Sequence, residues 1–230
     1  MDLALVRHGK FNPIAVIFFL TVMVLLALAV AVPRGQDVLW LNGWHNTFLD
    51  LFFLVFTNAG DGVLFVPLVV IFLFVRFYLA VVLAASAAIH AVLISIFKRW
   101  LLAGATRPVM ELDHSLLHFV PGVDIHAHHS FPSGHTASIF AIAFFLALTF
   151  DRKIFTGLFF ALAVVVASSR IYLLQHFLSD VAGGALIGVV SVVLAIVLFE
   201  RFDSRPFFQR RMSLRRSTAQ GAKDAPVLDE

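Results

Sequence analysis

A histidine and an aspartate four positions apart, His176 and Asp180, are the first residues whose types and spacing suit catalysis. On a helix this spacing brings both side chains to one face. A carboxylate one turn away can hold an imidazole by one ring nitrogen, which leaves the other nitrogen available as a nucleophile. His135, earlier in the chain, is then available as a general acid that protonates a leaving oxygen.

An anion-binding segment precedes one of the apolar runs. In Pro132-Ser133-Gly134-His135, Ser133 can cap a helix, Gly134 lets the backbone approach a ligand, and the exposed N–H groups attract negative charge. Arginine suits bidentate contact with phosphate oxygens, and lysine supplies a point charge. Cations stand at the ends of neighbouring apolar runs, at Lys98, Arg99, Arg107 and Arg170. Together these residues predict chemistry on a phosphate group.

The composition places this chemistry in a membrane. Of 230 residues, 60% are hydrophobic and 13% are charged, against roughly 25% charged in soluble domains. The mean hydropathy is +0.95, which excludes an ordinary water-soluble fold. The absence of cysteine rules out disulfides and thiolate metal sites, and a net charge of +3 does not indicate a nucleic-acid-binding surface.

Apolar runs predict an all-α integral membrane protein with a bundle of six transmembrane helices and a site at their outer ends. The expected spans are about 13–32, 63–75, 79–97, 136–150, 154–168 and 179–199. An interfacial helix is expected at about 44–56, and the polar loop 98–134 is expected to serve the site. Residues 1–200 would form this domain, and 201–230 a basic, disordered cytoplasmic tail.

The distribution of positive charge predicts the orientation. Six spans place both termini on one side, and of 17 Lys and Arg residues five fall on the other side, at Arg34, Lys98, Arg99, Arg107 and Arg170. The positive-inside rule then makes the termini cytoplasmic and turns the site outward. In a bacterium this would be an inner-membrane protein with a periplasmic site.

Two motifs resemble signatures of the type 2 phosphatidic acid phosphatase superfamily. Ser169-Arg170, five residues, His176, three residues and Asp180 resemble its third motif, and Pro132-Ser133-Gly134-His135 resembles its second. The first motif is usually Lys, six residues, Arg and Pro. Here Arg107-Pro108 follows Lys98 after eight residues and Arg99 after seven. Lys98 is preferred because the family has lysine at this position, and Arg99 is the alternative.

The resemblance implies a membrane phosphatase that needs neither a metal nor another cofactor. His176 would attack phosphorus, Asp180 would orient His176, and His135 would protonate the leaving oxygen. The phosphate oxygens would be held by Lys98, Arg107, Ser133, Gly134 and Arg170.

The implied partners are membrane lipids and a lipid phosphate or diphosphate substrate. Undecaprenyl diphosphate is favoured, and phosphatidylglycerol phosphate, phosphatidate and lipid A are the alternatives. A lipid phosphotransferase of the same family, or a non-catalytic lipid-binding or transport protein, is the competing function. The sequence does not indicate the oligomeric state.

Histidines in the loop suggest a metal site at first sight. They are His114, His118, His126, His128 and His129. Their spacing fits no standard set of metal ligands, so no metal site is predicted here.

Overall fold

The computed structural model describes residues 3, 5–7 and 10–212. A two-stranded antiparallel hairpin, β1 (Val6–Arg7) and β2 (Lys10–Phe11), precedes a bundle of helices. In the described part of the chain the α-helices are α1 (Pro13–Ala31), α2 (Gln36–Asn42), α3 (Thr47–Phe56), α4 (Phe65–Val75), α5 (Phe77–Ile96), α6 (Pro108–Glu111), α7 (Gly134–Phe150), α8 (Lys153–Tyr172) and α9 (Leu178–Phe199).

Four apolar helical segments are long enough to cross a membrane. They are Pro13–Ala31, Phe77–Leu101, Lys153–Tyr172 and Leu178–Phe202. Two further segments, Thr47–Gly60 and Gly62–Val75, meet at a bend of 49° and together can form a fifth span. The expected separate span at 63–75 is thus continuous, through this bend, with the helix that was expected to lie in the interface. The described residues give four or five spans by length and composition, so the count of six stays a prediction.

Helix α7 is shorter than the roughly 20 residues that a lipid-facing span needs. It can be shorter because it lies inside the protein. Of its 17 residues, 13 are buried, and it packs mainly against α8 and α9. A helix surrounded by other helices does not have to match the full hydrocarbon thickness with its own apolar length. The burial of α7 therefore explains why this helix is shorter than the length expected of a lipid-facing span.

Two glycines four positions apart let α9 approach α7 closely. A Cβ atom on Gly184 would lie 2.4 Å from the carbonyl oxygen of Ser133, and one on Gly188 would lie 2.4 Å from that of Ala137. Small residues at this spacing are a common means of bringing helix backbones together in membranes. The close contact places the start of α7 beside the start of α9. There, the Ser133 N–H donates to the Asp180 carbonyl at 2.9 Å.

A tight reversal joins α8 to α9 at the same end of the bundle. The N–H groups of Gln175 and His176 both donate to the carbonyl of Arg170 at 3.0 Å. This places His176 directly beside the last turn of α8. The predicted convergence of motif residues at one end of the bundle therefore follows from two short backbone connections.

The polar loop between α5 and α7 is folded against this end. Thr106 and His128 form an isolated antiparallel bridge, and Ser130 N–H donates to Ala105 at 3.0 Å. Arg34, just after α1, pairs with Glu111 of α6 through Nε at 2.8 Å. The hydrogen bond from Arg34 lowers the pKa of the Glu111 carboxyl, so the ion pair holds the loop near the end of α1.

The opposite end of the bundle carries the turn between α4 and α5. Phe77 N–H donates to Arg210 at 2.9 Å, and Arg76 forms an ion pair with Asp203. Residues 201–212, the first part of the predicted disordered tail, thus pack against the bundle. Backbone hydrogen bonds and an ion pair hold this stretch in place. Such contacts cannot be inferred from the amino-acid composition, which is why the stretch was expected to be disordered. The rest of the expected tail, 213–230, lies outside the described residues.

Candidate active site

A cavity of about 520 Å³ lies where the ends of α5, α7 and α8 meet the α8–α9 turn. Six of the predicted site residues line it, namely Lys98, Arg107, Gly134, His135, Arg170 and His176. The remaining wall comes from the α3 end, the long loop and the α8–α9 turn, through Leu54, Thr57, Asn58, Gly122, Val123, Asp124, His126, Leu173 and Gln175. Three cations and three imidazoles, two of them from the predicted His135 and His176, therefore face one volume that is large enough for a phosphate group.

The His176 and Asp180 side chains meet behind the cavity. His176 Nδ1 lies 3.5 Å from Asp180 Oδ2, and both side chains are almost fully buried. His176 lies before α9 and not within it, so the two side chains do not share a helix face as expected. Instead, the Asp180 carboxylate in the first turn of α9 points back towards His176. The same Oδ2 accepts hydrogen bonds from Phe177 N–H at 3.0 Å and Ser130 Oγ at 2.5 Å.

Burial determines the protonation state of His176. Desolvation lowers the pKa of the His176 imidazole to about 3, despite the opposing effect of the Asp180 carboxylate. The ring is therefore neutral near pH 7. With Nδ1 turned towards Asp180, the Nε2 lone pair is the one available for nucleophilic attack.

Both arginines of the site are held by neutral protein groups. Arg107 Nη1 donates to Gln175 Oε1 at 2.6 Å, and its Nε donates to the His128 carbonyl at 3.1 Å. Arg170 Nη1 donates to Thr57 Oγ1 at 2.6 Å. Neutral acceptors orient a guanidinium without cancelling its charge, which leaves that charge for an anionic ligand.

Lys98 and Arg99 differ in their relation to the cavity. Both lie in a π-helical turn, Phe97–Leu101, that ends the α5 span. Lys98 lines the cavity, whereas Arg99 is absent from its wall as formed by residues 10–212. The altered spacing of the first motif therefore still brings a lysine to the site, and its role as a phosphate ligand stays a prediction.

Ser133 and Gly134 occupy different environments. Ser133 is completely buried, and its Oγ accepts from Thr136 N–H at 3.4 Å and from Thr136 Oγ at 2.9 Å. This is the predicted helix cap, but Ser133 is not part of the cavity wall among the described residues. Gly134 does line the cavity, and a Cβ there would meet no atom within 4 Å. The open space beside Gly134 suits a ligand.

Sequence reasoning missed three polar residues that contact the predicted ones. Ser130 bonds Asp180, Gln175 bonds Arg107, and Thr57 bonds Arg170. Ser130 lies two positions before the second motif and Gln175 lies within the third, and this proximity is a usable signal. Thr57 is 113 positions from Arg170, and no pattern in the sequence connects them.

Several loop histidines bind protein groups. His118 Nε2 lies 2.9 Å from Asp50 Oδ2, and its ring stacks on that of His45. His114 and His129 contact the backbone carbonyls of Val109 and Lys98. In the part of the chain that the structure describes, no group of three or more His, Asp or Glu side chains is arranged to hold a metal ion.

Comparison with known proteins identifies relatives of the chain. The YbjG protein of Escherichia coli (strain K12), named as a candidate undecaprenyl-diphosphatase, is 32% identical over 54% of this chain and 60% of its own length. The lipid A 4'-phosphatase of Porphyromonas gingivalis is 28% identical over 66% of each chain. The chain thus spans less than two thirds of the length of these curated relatives.

Solved structures share the fold. The crystal structure of Aquifex aeolicus LpxE superposes with a TM-score of 0.62 at 29% identity, over 71% of this chain and 94% of that one. A PAP2-type phosphatidylglycerolphosphate phosphatase from Bacillus subtilis superposes with a TM-score of 0.59 at 23% identity, over 84% of this chain and all of that one. The model of the PAP2 superfamily matches residues 76–203, which include every predicted site residue. The chain therefore belongs to the PAP2 superfamily.

Proposed function

We propose that this protein is a membrane phosphatase that hydrolyses a lipid phosphate or diphosphate through a phosphohistidine intermediate. The observation that carries the proposal is the single cavity lined by His176, His135 and three cations, with Asp180 behind His176. Cations suit the oxygens of a phosphate, and a neutral imidazole suits attack on its phosphorus.

In the first step, Nε2 of His176 forms a bond to phosphorus while the bond from phosphorus to the lipid oxygen breaks. His135 gives its proton to that departing oxygen, so the lipid leaves as a neutral alcohol, or as the monophosphate when the substrate is a diphosphate. Asp180 stabilises the positive imidazole that forms when Nε2 bonds to phosphorus.

In the second step, water attacks the phosphohistidine. His135, now unprotonated, accepts a proton from this water, and the bond between phosphorus and Nε2 breaks to release inorganic phosphate. Lys98, Arg107, Arg170 and the Gly134 N–H stabilise the charge on the equatorial oxygens in both steps. Ser133 supports this arrangement as the cap of α7. No metal and no other cofactor takes part in the proposed steps.

The substrate is proposed from the position of the site and the names of the relatives. A cavity at the ends of apolar helices can receive a charged headgroup while the lipid tail stays in the bilayer. Among the relatives, undecaprenyl-diphosphatase and lipid A phosphatase are named. Undecaprenyl diphosphate is the favoured substrate, and lipid A, phosphatidylglycerol phosphate and phosphatidate are the alternatives.

The proposed topology has six crossings. The bent pair Thr47–Gly60 and Gly62–Val75 counts as one crossing, and the buried α7 completes the set. Both termini then lie on the cytoplasmic side, where most lysines and arginines fall, and the cavity faces outward.

Phosphate release by the purified protein tests the proposal. The full chain in detergent is offered undecaprenyl diphosphate, lipid A, phosphatidylglycerol phosphate and phosphatidate, each with EDTA in excess. We expect inorganic phosphate from at least one lipid, and none from the His176→Ala variant. Release from no lipid would refute the hydrolase, and strict dependence on added metal would refute the histidine mechanism. Transfer of phosphate to a second lipid instead of water would identify a phosphotransferase.

A further inference from the structure

Thr57 belongs to the wall of the active-site cavity, although it lies outside the segment 76–203 that matches the family. It begins the short 3₁₀ turn Thr57–Gly60 that follows α3 and leads into the bend before α4. The residue is 9% exposed. Its Oγ1 accepts a hydrogen bond of 2.6 Å from Nη1 of Arg170, at the end of α8.

This hydrogen bond engages Nη1 and so restricts the orientation of the guanidinium plane. A guanidinium is planar, and its Nε–H and Nη2–H bonds point the same way from the edge opposite Nη1. Within residues 10–212, Nε of Arg170 is buried and has no hydrogen-bond partner. Anchoring Nη1 therefore leaves the edge formed by Nε and Nη2, whose Nε is a buried donor that lacks an acceptor and whose geometry matches two oxygens of a phosphate.

The turn that carries Thr57 is wedged between two helices of the site. A Cβ atom on Gly60 would lie 2.7 Å from Cγ1 of Val166 in α8 and 2.9 Å from the carbonyl oxygen of His135 in α7. Such contacts leave no room for a side chain at position 60. These contacts fix the position of the turn relative to α7 and α8. They thereby fix the position of the Thr57 hydroxyl relative to Arg170.

We propose that Thr57 is a positioning residue that orients the Arg170 guanidinium for two-point contact with the phosphoryl group. This inference rests on the proposed function. It adds to the site a residue from the helix bend, which none of the three motifs contains. Thr57 acts through Arg170, so its effect is expected where Arg170 contacts the transition state.

The experiment compares Thr57→Val, which keeps the shape and removes the hydroxyl, with Thr57→Ser, which keeps the hydroxyl. Thr156→Val is the matched control, because Thr156 is similarly buried at the opposite end of the bundle and bonds the carbonyl of Arg152, the residue that caps α8. We expect kcat/KM to fall about 10- to 100-fold in T57V, the loss expected when a hydrogen bond to a charged group is removed. We expect T57S to stay within about threefold of the wild type, and T156V to be unchanged.

Inhibition by orthovanadate, a phosphate mimic, gives a second measurement. Its inhibition constant should rise in T57V and return in T57S, whereas a purely structural defect would lower the amount of active protein and leave that constant unchanged. Equal activity of T57V and the wild type, or equal loss in T57V and T57S, would overturn the inference. If T57V does not fold, T57A is judged by the same criteria. Inactivity of the wild type towards every lipid phosphate would instead refute the proposed function.

Discussion

Ser130 donates a hydrogen bond of 2.5 Å to Oδ2 of Asp180, the oxygen that also faces the His176 imidazole. Ser130 and Asp180 are both buried, so this bond is shielded from water. A second donor, the Phe177 N–H, fixes the same oxygen. The carboxylate is therefore held in place before any substrate arrives, and its distance of 3.5 Å from His176 Nδ1 can shorten when the ring becomes positive.

Ser130→Ala removes one of these two donors and leaves the backbone donor in place. We expect kcat to fall about tenfold with little change in KM, since one hydrogen bond to a charged group is lost behind the substrate. Steady-state kinetics on the preferred lipid phosphate measure both constants. Ser115→Ala, at an exposed position of the same loop, serves as the control. A kcat equal to that of the wild type would mean that Ser130 does not support Asp180.

His176→Asn should abolish turnover and leave the fold intact. The change removes the proposed nucleophile but keeps a polar side chain of similar reach, so the expected loss is at least about a thousandfold. A lipid substrate with radiolabelled phosphate, quenched during turnover, should label the wild-type protein and not the variant. His114→Asn provides a control in an exposed histidine of the loop. Label on H176N would place the covalent intermediate on another residue.

The pKa of His176 predicts how acid affects stability. Burial lowers this pKa to about 3 in the folded protein, whereas an unfolded chain has a histidine pKa of about 6.5. Between these values the unfolded chain binds a proton that the folded chain excludes, so the free energy of unfolding falls as the pH falls. Asp180 opposes this shift, and Arg107 and Arg170 add to it, after burial as the largest cause.

Thermal unfolding in detergent at several values from about pH 7 to about pH 4 tests this linkage. The melting temperature of the wild type should fall more steeply on acidification than that of His176→Asn, which has no imidazole to protonate at this position. Other histidines contribute equally to both proteins and cancel in the comparison. Parallel curves would show that His176 is not buried in its neutral form.

The motif residues could be expected to lie close together because each motif stands at or beside a helix end, and their roles stay a prediction. His135, Arg170 and His176 line one cavity, and their sequence positions next to apolar runs were enough to place them at one end of a bundle. The fold was predicted less completely. The bend of 49° after α3 and the burial of α7 depend on tertiary packing, which hydropathy alone does not record. The Thr57–Arg170 bond likewise joins distant segments without a local signal.

Two glycines in α9 are expected to be essential for the position of α7. A Cβ on Gly184 or on Gly188 would approach a backbone carbonyl of α7 to 2.4 Å, and backbone atoms cannot move aside as a flexible side chain can. Gly184→Ala and Gly188→Ala should therefore push the helices apart and lower the melting temperature in detergent. Gly157→Ala is the matched control, because its Cβ would meet no atom within 4 Å and alanine favours the helix.

The two variants should differ in activity. A side chain at position 184 would clash with the backbone of Ser133. The N–H of Ser133 in turn donates to the carbonyl of Asp180 at the start of α9. G184A therefore separates the end of α7 that carries His135 from the end of α9 that carries Asp180, while G188A acts one turn farther from the cavity. We expect a larger loss of kcat in G184A than in G188A at a temperature where both remain folded. Melting temperatures equal to that of G157A would show that the two helices can separate without cost.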